Sequence, residues 1–263
     1  MFMGNVQLYN GDCLDVMSGI CNECVDMTFT SPPYYNARKY SEYESYDAYL
    51  SFLKNVFTEV HRITREGRFV IVNTSPVIVA RECRSSQSKR LPIPFDLNGI
   101  MVGIGFDFID DIIWVKPNAS VHNRNGVFFQ SRKPLSYKPN CVTEYIMVYR
   151  KRTDKLIDWN LKQCPKEDMD RSIVTGDYDS TNVWNISPRH TAQHPAVFPK
   201  ELSDRIVKYY SFVNDTVFDP FMGIGTTGIS CISLDRNFIG IELDEKYFGI
   251  AKRQMDELGR KLF

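Results

Sequence analysis

The segment Ser31-Pro32-Pro33-Tyr34 follows the apolar run VDMTFT at 25 to 30. Two consecutive prolines hold the backbone extended and remove two amide donors, so carbonyl acceptors stay free at this turn. A planar exocyclic amine, such as N4 of cytosine, carries two N–H donors and a lone pair delocalised into its ring, which makes it a poor nucleophile. The Ser31 hydroxyl and the Pro32 carbonyl can accept both N–H bonds and draw the nitrogen toward tetrahedral geometry, aiming its lone pair at an electrophile. Tyr34 can stack on the ring held there. Read alone, SPP also suits a proline-rich turn that closes a sheet edge.

A second cluster lies far downstream, at 217 to 242: VFDPFMGIGTTGISCISLDRNFIGIE. It reads as strand, glycine turn, helix and second strand, with an acid at the second strand's end. Gly223, Gly225 and Gly228 satisfy GxGxxG, where glycines allow a tight turn and close backbone approach of a ligand. Glu242 stands where a carboxylate accepts hydrogen bonds from ribose hydroxyls. A nicotinamide-dependent oxidoreductase fits the same pattern, but the unit begins about 45 residues from the end of the sequence, too few for the rest of a dinucleotide-binding sheet. Asp219 and Pro220 add a carboxylate at the first strand's tip, which repels a pyrophosphate and welcomes an ammonium group. That chemistry points to S-adenosyl-L-methionine, whose methionine part carries an ammonium. A catalytically silent nucleic-acid-binding module on the same frame is the third reading.

Both clusters need strands to present them. Val6 to Tyr9, Val25 to Thr30, Phe69 to Asn73, Ile109 to Val115, Tyr145 to Tyr149, Thr216 to Asp219 and Phe238 to Glu242 read as seven strands. Helical patterns fill most gaps. The clearest runs from about Tyr46 to Thr64, with Tyr49, Leu50, Leu53, Val56, Phe57 and Val60 at three- and four-residue steps and Gly67 following as its stop signal. Strand and helix alternation predicts an α/β domain with a mostly parallel sheet. Ligands then bind at the carboxyl ends of the strands, where both clusters fall.

The 263 residues suit one domain, 1–263, with a sizeable core. Hydrophobic residues make up 43%, which argues against disorder. Thirty-two Lys and Arg balance 32 Asp and Glu, so any basic surface for nucleic acid must be local. No apolar run approaches a membrane span, and the start MFMGNVQLYNGD lacks a leader pattern, so the expectation is a cytoplasmic protein without membrane association. Seven scattered cysteines read as reduced thiols; Cys21 and Cys24 form a CxxC with no second ligand pair to complete a zinc site, beyond the spaced His190 and His194. No metal is expected. Two polar stretches, 117–140 and 150–183, read as loops or insertions; Phe128, Phe129 and Tyr137 among Arg, Lys, Asn and Ser suit phosphate contact and base stacking as well as they suit a solvated surface.

TSPPYYNARKY, followed much later by DPFMGIGTTG and GIELDEKY, resembles the beta group of amino-directed DNA methyltransferases, in which the catalytic motif precedes the cofactor motif. NGDCLDVM at 10 to 17 and HPAVFPKEL at 194 to 202 also resemble family segments, so the likeness covers nearly the whole chain. The resemblance implies a Rossmann-like three-layer sandwich whose seven-stranded sheet ends in an antiparallel strand, for which IMVYRK near 145 to 150 is the candidate. It implies Ser31, Pro32, Pro33 and Tyr34 as the catalytic turn. It also implies cofactor contacts from Asp12, Cys13, Thr30, Asp219, Phe221, Gly223, Gly225, Thr226 and Glu242, with Asp12 on the adenine amino group, Glu242 on the ribose, and Phe198 and Pro199 near the methionine end.

The family likeness further implies double-stranded DNA as substrate and flipping of the target base, because a stacked base cannot bring its amine to a buried methyl donor. The variable segment 150–185 becomes the target-recognition candidate, with Arg150, Lys151, Arg152 and Arg171 as candidates for groove or phosphate contacts that read equally as ordinary surface charges, and 117–140 the DNA-contacting loop candidate. Family members with Ser at the first motif position are mostly cytosine-N4 enzymes and those with Asp mostly adenine-N6 enzymes, so Ser31 favours N4 of cytosine over N6 of adenine. A homodimer and a cognate restriction endonuclease acting on the same site are possible partners by the same likeness. His61, His122, His190 and His194 have no motif support as bases and read as structural or surface residues; Ser31 or water can take the released proton.

Overall fold

The computed structural model describes residues 5–36, 43–79, 83, 89–118, 141–176, 179–188 and 198–261. The chain begins with β1 (Val6–Asn10), α1 (Cys13–Ser18), β2 (Val25–Thr30), α2 (Tyr46–Ile63) and β3 (Thr64–Thr74). A hairpin of β4 (Val77–Val79) and β5 (Lys89–Leu91) precedes α3 (Ile93–Ile104), β6 (Phe106–Val115) and β7 (Thr143–Lys151). Then come α4 (Ile157–Gln163), α5 (Lys166–Ser172), β8 (Val183–Asn185), α6 (Lys200–Tyr210), β9 (Thr216–Asp219), α7 (Thr226–Ser233), β10 (Asn237–Glu242) and α8 (Glu245–Lys261).

All seven expected strands form, and the short β8 joins them in an eight-stranded sheet of order β1-β10-β9-β2-β3-β7-β6-β8. Every pairing is parallel except those of β7 with β3 and β6. The antiparallel strand is therefore the one expected, yet it lies inside the sheet instead of ending it, because β6 and β8 continue beyond it. Helices α1, α2 and α3 cover one face and α6, α7 and α8 the other. Strand residues divide by pleat: Val70, Val72 and Tyr149 face the first layer, whereas Ile71, Ile146 and Val148 face the second.

Helix α2 forms because Tyr49, Leu53, Val56, Phe57, Val60 and Ile63 make one buried stripe, and Ser45 caps its start by accepting from the Ala48 N–H at 3.1 Å. It stops at Ile63, and Gly67 is not its stop signal. The residue Gly67, at φ +69°, instead sits inside β3, which starts at Thr64 immediately after the helix. Asn160 and Arg150 pack against it so closely that an added Cβ would meet Asn160 Oδ1 at 2.7 Å.

The 150–183 stretch is also not an open loop. It begins with the end of β7, forms α4 and α5 beside the amino ends of β2, β3 and β9, and returns through β8 along the carboxyl end of β6. The strand order reverses between β9 and β2, the switch point where open α/β sheets leave a crevice at the carboxyl ends.

Close packing under the glycine turn accounts for two of its glycines. A Cβ on Gly225, at φ +86°, would meet Met255 Cε at 2.4 Å, and one on Gly228 would meet Met255 Cε at 2.5 Å and Phe238 Cδ1 at 2.7 Å. These two positions are held by helix and strand contacts. Gly228→Ala is expected to destabilise the fold by roughly 1–3 kcal/mol through overpacking, read as a lower urea midpoint with an unchanged m-value.

Candidate active site

The two clusters meet at the switch point. β2 and β9 are neighbours, with Met27 beside Val217 and Thr28 beside Phe218, so the Ser31 turn and the glycine turn leave adjacent strand tips. Thr30 Oγ1 donates to Asp219 Oδ1 at 2.7 Å in a buried bond that ties the tips together. Asp219 Oδ1 also accepts from the Phe221 N–H at 3.0 Å, and Oδ2 accepts from Thr227 Oγ1 at 2.8 Å. Burial pushes the Asp219 carboxyl up to about 7, against these three donors and with Glu242 adding to the rise.

Beside β9, β10 carries Glu242 at its tip. Its Oε2 accepts from the Gly223 N–H at 2.9 Å and its Oε1 from the Asp244 N–H at 2.8 Å. Burial raises its pKa too. On the next strand, β1, Asn10 pairs with Glu242 in register and its side chain donates to the Glu242 and Leu243 carbonyls at 2.8 and 3.2 Å. Asp12 then caps α1 by accepting from the Leu14 N–H at 2.8 Å. Cys13 is buried, with its thiol pushed up to about 12 by burial and by Asp12, so it is not a nucleophile.

Asp12, Asp219 and Glu242 thus place three carboxylates on three of four consecutive tips. Such a rim suits hydroxyl, amino and ammonium donors better than it suits a phosphate. Phe221 is half-buried with its ring 6.1 Å from Phe52, and Thr226 opens α7 behind Gly225. Phe198 lies with its ring 4.9 Å from Phe29, next to Thr30, and Pro199 precedes α6.

Within the Ser31 turn, Pro32 is buried while Ser31, Pro33 and Tyr34 are part-exposed. The chain continues into Tyr35, whose ring lies 5.7 Å from buried Tyr49. Tyr34 donates to Glu144 Oε2 at 3.1 Å. Burial and the neighbouring Glu144 charge hold the phenol well above its ordinary pKa, so it stays protonated. Asn73 Nδ2 donates to the same Glu144 oxygen at 2.9 Å, and Lys116 pairs with the other.

Glu144, Asn73, Lys116 and Thr227 were absent from the sequence reading. The available signal was a polar residue at the end of an apolar strand: Asn73 after VIV, Glu144 before YIM, and the second Thr of GTT.

The expected DNA-contacting cations are not at this edge. Arg150 donates to the Gly67 carbonyl and Asn160, Lys151 to the Thr64 carbonyl and Glu23, Arg152 to Asp107, and Arg171 to Asp235. These partners cluster at the amino ends of the strands, the end of the sheet opposite to Ser31, so residues 150–176 are not positioned as the target-recognition element. The 117–140 candidate lies outside the described residues except for Pro117 and Asn118, as do Phe128, Phe129, Tyr137, His122, His190 and His194. Its two ends are described: Lys116 N–H donates to the Val142 carbonyl at 2.8 Å, beside Glu144 and hence beside Tyr34. His61 is structural, its ring edge-on to Phe106 at 5.0 Å and its pKa lowered by burial and by Lys151. Among the described residues no cluster of His, Cys, Asp and Glu could hold a metal, and no helix is long and apolar enough to cross a membrane.

Residues 25–253 match the DNA methylase family of N6- and N4-directed enzymes. The chain belongs to that family. The methylase is 28% identical to the type II methyltransferase M.ScaI of Streptomyces caespitosus over 98% of this chain and 84% of the relative, and 27% identical to M.SmaI of Serratia marcescens over 93% and 89%. It is also similar to a Thermus thermophilus protein assigned as a DNA modification methylase and solved with S-adenosyl-L-methionine, at 29% identity, a TM-score of 0.72, and coverage of 96% and 93%. With that membership the oxidoreductase reading falls.

Because Asp219 is ionised in the unfolded chain from about pH 4 but holds its proton in the fold up to about pH 7, the unfolded state binds fewer protons in that window. Its contribution to stability falls as pH rises from 4 to 7, by up to about 1.4 kcal/mol per pH unit. Asp219→Asn is expected to flatten that part of the slope when urea midpoints are compared at pH 5, 6 and 8.

Proposed function

We propose that the protein transfers the methyl group of S-adenosyl-L-methionine to the exocyclic N4 amine of cytosine in double-stranded DNA. The observation that carries this reading is the adjacency of the Ser31 turn and the glycine turn, bonded through Thr30 and Asp219 at the sheet's switch point. The three-carboxylate rim fits the donors of the cofactor: Glu242 for ribose hydroxyls, Asp12 for the adenine amine, and Asp219 on the methionine side, with Cys13, Thr30, Phe221, Gly223, Gly225 and Thr226 lining the same tips. When bound there, the cofactor supplies an electrophilic methyl on a sulfonium.

The chain's own residues do the rest. Pro32 and Pro33 keep the turn extended, the Pro32 carbonyl and the Ser31 hydroxyl accept the amine's two N–H bonds, and the part-exposed face of Tyr34 supports the flipped ring. Withdrawing those N–H groups from the ring plane frees the nitrogen lone pair. The neutral Ser31, where adenine-directed relatives mostly carry Asp, supports cytosine as the target.

Residues 117–140, anchored at both ends beside Tyr34, are the DNA-contacting candidate by that placement. The likeness to type II methyltransferases supports a role in protecting DNA from a cognate restriction endonuclease. A cytoplasmic location would go with that substrate. A homodimer rests on family likeness alone and is read by sedimentation of the purified protein.

The test is methylation of duplex DNA by the purified protein with tritiated cofactor, followed by nucleoside mass spectrometry and mapping of the modified positions. N4-methylcytosine is expected. N6-methyladenine would replace the target base, and no transfer would leave a silent binder. Ser31→Ala should lower kcat by about 10²–10³-fold with little change in cofactor affinity. Glu242→Ala should instead weaken cofactor binding by about 1.5–3 kcal/mol, read by calorimetric titration. The same kinetic phenotype from both variants would overturn the assignment of roles.

A further inference from the structure

Three neighbouring strands build a small polar cluster behind the ring of Tyr34. Asn73, near the end of β3, follows Val72, the in-register partner of Thr30, so it stands beside the catalytic turn. Glu144 lies at the start of β7, the strand between β3 and β6, and Lys116 follows the last residue of β6. A carboxylate accepts hydrogen bonds and donates none; this one gathers Tyr34 Oη at 3.1 Å and Asn73 Nδ2 at 2.9 Å on one oxygen and the Lys116 ammonium on the other. Asn73 is 3% exposed, and turning Nδ2 to Glu144 leaves its Oδ1 buried without a partner. An unsatisfied acceptor in the interior costs stability, so this amide serves Glu144 in preference to its own pairing.

Tyr34 belongs to the catalytic turn. The prolines fix the backbone before it but leave its side-chain torsions free to choose among rotamers. Its phenol oxygen lies on the long axis of the ring, so the bond to Glu144 fixes the direction of that axis and hence where the part-exposed ring sits. Burial and the Glu144 charge keep the phenol protonated, which preserves the donor of that bond. Stacking depends on the same direction: a ring displaced from the flipped base lets the amine drift out of line with the methyl, and small misplacements of a reacting group cost large factors in rate.

We propose that Glu144 is a positioning residue for methyl transfer, holding the Tyr34 ring by its hydroxyl where the flipped base stacks. It acts through Tyr34 and not by touching the base or the cofactor. Asn73 and Lys116 hold Glu144 in turn, from the strands on either side of β7. The proposal rests on the methyltransferase reading above and adds to it a residue outside both ligand turns.

The experiment is a double-mutant cycle on the single-turnover rate of methyl transfer, with saturating cofactor and a duplex carrying the mapped site. Tyr34→Phe keeps the ring and removes the hydroxyl; Glu144→Ala keeps the hydroxyl and removes its anchor. Each should lower the rate by about 10-fold, and the double variant should also stay near about 10-fold, because the second change has no bond left to break. A carboxylate that merely supports β7 would give independent losses that multiply to about 100-fold. Cofactor affinity, read by calorimetric titration, should stay within about 2-fold of wild type in all three variants. Tyr34→Phe removes one oxygen from a part-exposed side chain, so its rate tests the proposal even if Glu144→Ala does not fold. A wild-type rate in either single variant, multiplying losses, or a fall in cofactor affinity that matches the fall in rate would overturn this proposal and leave the methyltransferase reading intact. A wild type that transfers no methyl to DNA would overturn both.

Discussion

The parallel pairing of β2 with β9 joins two strands that the chain reaches almost 190 residues apart, and a buried hydrogen bond from Thr30 Oγ1 to Asp219 Oδ1 ties their tips together. That pairing sits where the strand order reverses, and it decides that the Ser31 turn and the glycine turn open into one crevice instead of two. Everything the site can do follows from that junction: acceptors for an amine on one tip, acceptors for a nucleoside and an ammonium on the next.

The junction is electrostatically demanding. A carboxylate in full burial loses its hydration, and Asp219 offsets that loss with two threonine hydroxyls and a backbone N–H. The glycine turn below it is packed to the limit: Gly225 and Gly228 give way to Met255, Ala251 and Phe238. Glycine here serves the seating of α7 against α8 and β10, and that seating in turn carries Thr227 to Asp219. Packing and polar satisfaction are thus one device.

The two ends of the sheet have different work. At the carboxyl ends, polar side chains converge on an open crevice. At the amino ends, Asp26 accepts from Arg65 at 2.7 Å and from the Thr216 N–H at 2.9 Å, while Arg68 pairs with Asp215, and residues of α4 and α5 line the cavity beside this charged seam. The basic residues 150–152 belong to that structural end. Their side chains are held by carbonyls and carboxylates of neighbouring elements, which explains why a basic run near a strand end need not be a nucleic-acid contact.

The fold class, the seven strands and the two ligand turns were legible in the sequence because each depends on local regularities: period two, period three to four, proline stiffness and glycine spacing. So was the family, through TSPPYY and DPFMGIGTTG; the antiparallel character of 145–150 came only from the family resemblance. The eighth strand was not, since three residues, VWN, carry too little pattern, and Gly67 misled because a positive-φ residue inside a strand looks in sequence like a helix stop. Glu144, Asn73 and Lys116 could not be read in advance either. Each is an ordinary polar residue at a strand end, and only the pairing of β3, β7 and β6 brings all three to Tyr34. The sequence by itself determined which chemical groups are present and which turns display them; the tertiary structure decided which of them meet, because a hydrogen-bond chain is a property of distances between strands, and those distances are set by sheet order, which no local pattern encodes.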